Sequence, residues 1–276
     1  MLENECSPQS QLATLPRHEA SGGYMRLFRV LSLALAICAL VLAAPAFAKA
    51  ETVLVFGGSG QLGSEIVRAL VARGHKVTVF VRPSSKMDRL EGLTYGTVQG
   101  DVLVEADVTK AFKSAKFTVV VDALARGRTE GGRSFDNTRS DGDFYEVSER
   151  YISKAAKAAR VRQVILHSSV GAGESRKIYP LSRLPAMQPV LDAKGAGEKH
   201  VTDSGVPYTI IRNAVLRNAK PGEPDNAKLY EGHTKFGIVT RTQLGRLTAE
   251  CVGNKACFNK IYHAVDERLG MPPGVP

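Results

Sequence analysis

The chain has 276 residues, 43% of them hydrophobic, which suits a globular protein and excludes a disordered or collagen-like one. Its formal charge is +10, and the acidic and basic side chains of the first 48 residues cancel, so the whole excess lies after them. A basic surface favours anionic partners such as phosphates or lipid head groups, or is simply a solvated face. No Lys/Arg-rich run carries interleaved aromatics, which argues against nucleic-acid binding as the main function.

Residues 25–48, "MRLFRVLSLALAICALVLAAPAFA", have the three parts of a secretory signal. Arg26 and Arg29 give a positive start, Val30 to Leu42 an apolar middle, and Ala46-Phe47-Ala48 a small-x-small cut site. The alternative is an uncleaved tether through residues 30–48, although the run is short for a helix that needs roughly 20 residues to span a bilayer. In either case the positive flank comes first, so the following domain is expected outside the cytoplasm or in an organellar lumen. There is no twin-arginine pair. Met25 reads as the natural start, which makes residues 1–24 an extended or non-native N-terminus and residues 49–276 a single domain.

From residue 52 onward, apolar runs alternate with helical patterns. "TVLVFG" (52–57) is a short, β-branched run of the kind found in a parallel strand covered on both faces. "QLGSEIVRALVARG" (61–74) sets Leu62, Ile66, Ala69 and Leu70 on one helical stripe that Gly74 ends. "KVTVFVR" (76–82) is a second strand and "GTVQGD" (96–101) a third. A helix over 106–115, a strand over 117–124, a long helix over 144–160 and a strand over 163–169 follow. Next come a helix over about 186–204, the strand "PYTIIRN" (207–213), and a last unit of "FGIVT", a helix from about Thr242 to Cys251, and "FNKIYHAV". Segments 126–143 and 218–232 read as loops. The alternation predicts an α/β fold, a doubly wound parallel sheet of the Rossmann type with a small C-terminal lobe.

Of the four cysteines, Cys6 and Cys38 precede the expected domain. Cys251 and Cys257 flank a Gly-Asn turn and are open to two readings, a disulfide in an oxidising compartment or two buried thiols. Two cysteines without a nearby His pair are poor zinc ligands, and no metal site is expected.

Gly57, Gly60 and Gly63 fall where the first strand turns into the first helix. Gly57 permits the tight turn, Gly60 lets the backbone approach a pyrophosphate, and Gly63 lets the helix pack on the strand. A helix start also offers unpaired N–H groups and partial positive charge to phosphates. The turn Gly57 to Gly63, with Ser59, Gln61 and Leu62, is therefore read as a dinucleotide site. An acidic residue at the end of the second strand would bind the ribose hydroxyls of NAD. "FVRPSSK" stands there instead, and Arg82, with Lys86 close behind, suits a 2′-phosphate; NADP is preferred over NAD. Asp101 and Val102 after the third strand are expected near the adenine, with loop capping an equal role for Asp101. Ala123 and Leu124, at the end of the fourth strand, complete the cofactor wall.

With "FGGSGQLG", "VQGD", "ILHSS" and "SGVPYTIIRN" in this order, residues 52–265 resemble the atypical short-chain dehydrogenase/reductase superfamily. The similarity is to its NmrA-like and NAD(P)-binding branches, which include isoflavone reductase-like, flavin/biliverdin reductase-like and Tic62-like proteins. The resemblance implies a nicotinamide cofactor and a catalytic Y-x-x-x-K pattern. Here Lys194 is kept, to hold the nicotinamide ribose, but Val190 occupies the tyrosine place, and an isopropyl group cannot exchange a proton. By the same resemblance Ser169 would orient a substrate carbonyl, Ser168 would contact the nicotinamide side, and Asn213 would touch the carboxamide. Tyr179 is the local substitute proton donor, against simple loop packing, and His167 reads as a packed core residue.

Two functions follow. One is an NADP(H)-dependent reductase passing hydride to a flavin-, quinone- or enone-like small-molecule acceptor, for which solvent can bring the proton. The other, with no small-molecule acceptor, is a non-catalytic NADP-binding redox sensor or interaction module, favoured by the export signal.

Overall fold

The computed structural model describes residues 49–125, 143–180 and 184–271. The signal segment and residues 126–142 of the first expected loop lie outside the described residues.

The strands are β1 (Thr52–Phe56), β2 (Lys76–Val81), β3 (Gly96–Gln99), β4 (Val119–Asp122), β5 (Gln163–Ser169), β6 (Tyr208–Asn213), β7 (Val215–Arg217), β8 (Lys228–Tyr230), β9 (Ile238–Thr240) and β10 (Lys260–Val265). The helices are α1 (Gln61–Ala72), α2 (Glu105–Lys113), α3 (Phe144–Ala158), α4 (Leu184–Asp203) and α5 (Arg241–Cys251). Eight strands form one sheet in the order β3-β2-β1-β4-β5-β6-β10-β8. Every pairing in it is parallel except that of β8, which runs antiparallel to β10 at the edge. This is the doubly wound Rossmann arrangement, with the strand order reversing between β1 and β4.

The burial of β1 explains its composition. Val53 and Val55 face one helical layer with Ile66, Val67 and Leu70 of α1 and Leu244 and Leu247 of α5. Leu54 and Phe56 face the other with Val108 and Phe112 of α2, Ile152 and Ala156 of α3 and Val201 of α4. A strand covered on both faces has no polar face to show, so its sequence is continuously apolar.

Two expectations are corrected. Segment 218–232 is not wholly loop: Lys228–Tyr230 forms β8, an edge strand too short and too polar to show an alternating pattern. "FGIVT" does not extend the main sheet; its strand β9 pairs with β7 in a separate two-stranded sheet. The helix of uncertain start runs from Leu184 and tolerates Pro189 within its first two turns.

Capping differs between helices in a way that matters for the site. Asp143 accepts the Tyr145 N–H (2.9 Å) at the start of α3, and Thr240 and Gln243 form a reciprocal capping box on α5. Helix α1 has Gly60 at its N-cap position, with no side-chain cap and no acidic residue in its first turn.

Candidate functional site

The turn between β1 and α1 is shaped by what a side chain would hit. Gly57 has φ +73°, and a Cβ there would lie 2.7 Å from the Ala123 carbonyl. A Cβ on Gly60 would lie 3.2 Å from the Gly57 oxygen, while one on Gly63 would lie 2.1 Å from it. The Gly60 N–H closes the turn onto the Gly57 oxygen at 3.0 Å. Among the described residues nothing accepts from the N–H groups of Gln61, Leu62 and Gly63. Three unpaired donors at a helix start that lacks any cap or acidic residue make an anion cradle. The residues present therefore fit a dinucleotide diphosphate.

That turn opens on a cleft of about 930 Å³ at the C-terminal ends of β1, β2, β3 and β4. Its volume is at the upper end of the range of about 300–1,000 Å³ typical of small-molecule sites. Gly57, Ser59, Gly60, Gln61, Leu62, Arg82, Asp101, Val102, Ala123 and Leu124, all named from the sequence, line it. Asp101 also caps its loop, accepting the Leu103 N–H at 2.9 Å. Gly63 is buried behind the turn, and Lys86 is exposed outside the lining. Phe80, Ser85, Phe144, Leu216 and Arg241 also line the cleft. Sequence reading missed them because Leu216 and Arg241 come from segments that only the fold brings there.

A small second cavity shares Leu124 and His167 with the cleft and is lined as well by Tyr145, Glu149, Leu166, Ser168 and Lys194. The Lys194 Nζ lies 4.2 Å from the centre of the Tyr145 ring. Ser168 is buried with its Oγ unpartnered among the described residues. His167 is likewise buried, and desolvation, helped by the Lys194 charge, lowers its pKa to about 3, so the ring is neutral. Thr248 gives its one hydroxyl hydrogen to the Leu244 carbonyl (2.7 Å) and so accepts from His167 Nε2 (3.0 Å). The Nδ1 lone pair of His167 is left without a partner among the described residues.

The other residues named from the sequence stand apart from both linings. Ser169 follows Ser168 on β5, and successive strand side chains point to opposite faces. Tyr179 packs edge-on against Phe236, with ring centroids 5.6 Å apart. Asn213 is buried beside Ser169 in register, and its Oδ1 has no partner among the described residues. Val190, at the expected tyrosine place, is 4% exposed.

Behind Asn213, the fully buried Arg212 makes paired hydrogen bonds to Glu198 (3.0 and 2.6 Å). At the far end of the domain, Cys251 and Cys257 are joined in a disulfide with a Cα–Cα distance of 5.5 Å.

Comparison with known proteins matches residues 57–255 to a family model described as NAD(P)H-binding. Sterol demethylase protein B of Methylococcus capsulatus is 34% identical over 122 residues, 44% of this chain and 35% of that protein. Protein TIC 62, chloroplastic, of Pisum sativum is 29% identical over 234 residues, 78% of this chain and 43% of that protein. The chain thus spans less than half the length of these relatives. Among solved structures, the Escherichia coli O157:H7 protein described as ChuY, an anaerobillin reductase, superposes with a TM-score of 0.65 at 17% identity. That match covers 81% of this chain and all of the other.

Proposed function

The chain belongs to this NAD(P)H-binding family, and from that premise we propose that it is an NADP(H)-dependent reductase serving a flavin-, quinone- or enone-like acceptor. One observation carries the reading: an uncapped helix start with three N–H groups unpaired among the described residues, walled by glycines, opens on the cleft that also holds Arg82. The turn from Gly57 to Gly63 would hold the diphosphate, and Arg82, with Lys86 nearby, the 2′-phosphate. Asp101 and Val102 would border the adenine, and Ala123 and Leu124 the opposite wall. Lys194 would hold the nicotinamide ribose, with Ser168, Ser169 and Asn213 toward the reacting end.

Reduced nicotinamide, when bound, supplies a hydride. The protein's part is alignment beside an acceptor and exclusion of water. The buried Val190 carries no transferable proton, which favours acceptors that do not rely on a tyrosine acid. The packing of Tyr179 against Phe236 gives no support to its role as substitute donor.

The missing acid also favours a second reading, a non-catalytic NADP-binding redox sensor or interaction module. Titrating the purified protein with NADPH by fluorescence, then adding flavin or quinone acceptors, separates the two. Binding with oxidation supports the reductase and binding without it the sensor; absence of binding defeats both.

We also propose that the domain works outside the cytoplasm or in an organelle, delivered or tethered by residues 25–48. The support is the signal-like segment, the disulfide, and the chloroplastic TIC 62 among the relatives. No helix among the described residues is long and apolar enough to cross a membrane. A fusion of residues 25–60 to a reporter active only after export tests this, and a silent reporter would overturn it.

A further inference from the structure

Two acids lie in contact beneath the cleft. Asp122 ends β4 at 1% exposure, and Glu149 sits in the middle of α3 at 3%. Asp122 Oδ1 accepts the Leu124 N–H at 2.6 Å. Asp122 Oδ2 and Glu149 Oε2 have no partner among the described residues, although the two carboxyl groups are within hydrogen-bonding reach of each other. Two carboxylates can only accept, so two ionised groups here would repel in a dry site and leave both oxygens unsatisfied. One proton between them makes one oxygen a donor and satisfies both.

The surroundings favour one negative charge on the pair, not two. Lys194 on α4 is the nearby cation for both acids, while Glu198 on the same helix adds a negative field at Glu149. From β5, His167 is neutral and Ser168 uncharged; from α3 itself, Tyr145 lies under the Lys194 ammonium. Gly197 of α4 has no side chain because a Cβ there would lie 2.9 Å from Glu149 Cγ, so the two helices close over the acid. Burial raises both acids, Glu149 well above the ordinary carboxylate range, with the Asp122 charge adding to the effect at Glu149.

The outlet is visible. Of the seven buried side-chain atoms left without partners among the described residues, four belong to Asp122, Glu149, His167 and Ser168, and all but Asp122 line the small cavity that joins the cleft wall. Buried polar groups are normally satisfied, so orphans concentrated at one place indicate a site built for something that moves or binds there.

We infer that Asp122 and Glu149 hold one proton in common and that this pair, steadied by Lys194, is the proton reservoir of the site, discharging through the Ser168 hydroxyl. The inference rests on the reductase reading above. For a carbonyl or enone acceptor, hydride addition at carbon breaks the acceptor's π bond and leaves the electron pair on oxygen. Ser168 Oγ gives its hydrogen to that oxygen and takes one from the Glu149 carboxyl. The pair is left as two carboxylates until solvent returns one proton. Asp122 and Glu149 touch no ligand in this scheme; they are positioning residues acting through Ser168.

The test uses the whole protein labelled with ¹³C at glutamate side-chain carboxyls, titrated by NMR without cofactor. One signal should keep its protonated position at pH values where the other glutamates are ionised and disappear in E149Q, whose amide N–H can donate to Asp122 in the proton's place and preserve the fold. If every glutamate titrates in the ordinary range, the shared proton is overturned. E149Q should bind NADPH within twofold of the parent but reduce quinone or enone at least tenfold more slowly, with the alkaline fall in rate gone. Equal rates and equal pH profiles, or no NADPH oxidation by either protein, overturn the discharge step. Failure of both proteins to bind NADPH sinks the reductase reading, while the NMR signal still decides the shared proton.

Discussion

A Cβ on Gly63 would stand 2.1 Å from the carbonyl oxygen of Gly57. No side-chain rearrangement relieves such a clash, because the opposing atom is backbone. Helix α1 can dock on the end of β1 only with hydrogen at that position. Gly63→Ala should therefore push α1 away from the turn. The expected cost is about 1–3 kcal/mol, as for other overpacked sites, with NADPH affinity falling at least tenfold. Chemical denaturation and fluorescence titration check the two effects. Unchanged stability and affinity would show that the close approach is not needed.

Arg82 is exposed at the end of β2 and lines the cleft. Arg82→Glu replaces a cation suited to a 2′-phosphate with an acid suited to ribose hydroxyls. NADP affinity should fall by tenfold or more while NAD affinity changes little. Equal losses for both cofactors would place the 2′-phosphate elsewhere.

Two of the buried histidines, His167 and His263, predict a one-sided loss of stability in acid. Desolvation lowers the pKa of His167 to about 3 and that of His263 to about 4, against 6.5 in the unfolded chain. Above that unfolded value both states are neutral and neither residue biases folding. Between it and the lowered value only the unfolded chain takes up the proton, so stability falls as pH falls, by up to about 1.4 kcal/mol per pH unit for each group. His167→Asn should flatten the slope below pH about 6 in thermal melts. A parent protein with no slope there would refute the neutral buried ring.

Cys251 ends α5 and Cys257 lies six residues on, closing a short loop away from the cleft lining. The chain-entropy relation for so short a loop gives about 2 kcal/mol. Reduction should lower the melting temperature by about 4–8 °C at this domain size. NADPH binding should persist, and loss of binding on reduction would tie the bridge to the site instead.

Much of this was legible in the chain itself. The turn at Gly57, Gly60 and Gly63 and the runs of β1 and β2 are local, and local sterics decide them; a fully buried strand must be apolar, and a helix that touches a strand must be small at the contact. The same locality made β8 unreadable, because three residues pair only by virtue of the β10 edge they meet. It also concealed β7, whose partner β9 lies more than twenty residues later.

The family resemblance suggested Ser169 and Lys194 for the reacting group, with Tyr179 as a local substitute donor. Ser168 lines the small cavity with Lys194, while Ser169 lies outside both linings and Tyr179 packs edge-on against Phe236. Asp122 and Glu149 carried no signal at all, since they are twenty-seven positions apart and ordinary in type. The sequence alone determined the nucleotide fold and the phosphate turn, because those follow from neighbours along the chain. Only the tertiary structure put Glu149, Lys194 and Ser168 around one small cavity with Asp122 buried beside Glu149, because desolvation and like-charge contact exist only once distant segments have closed over them.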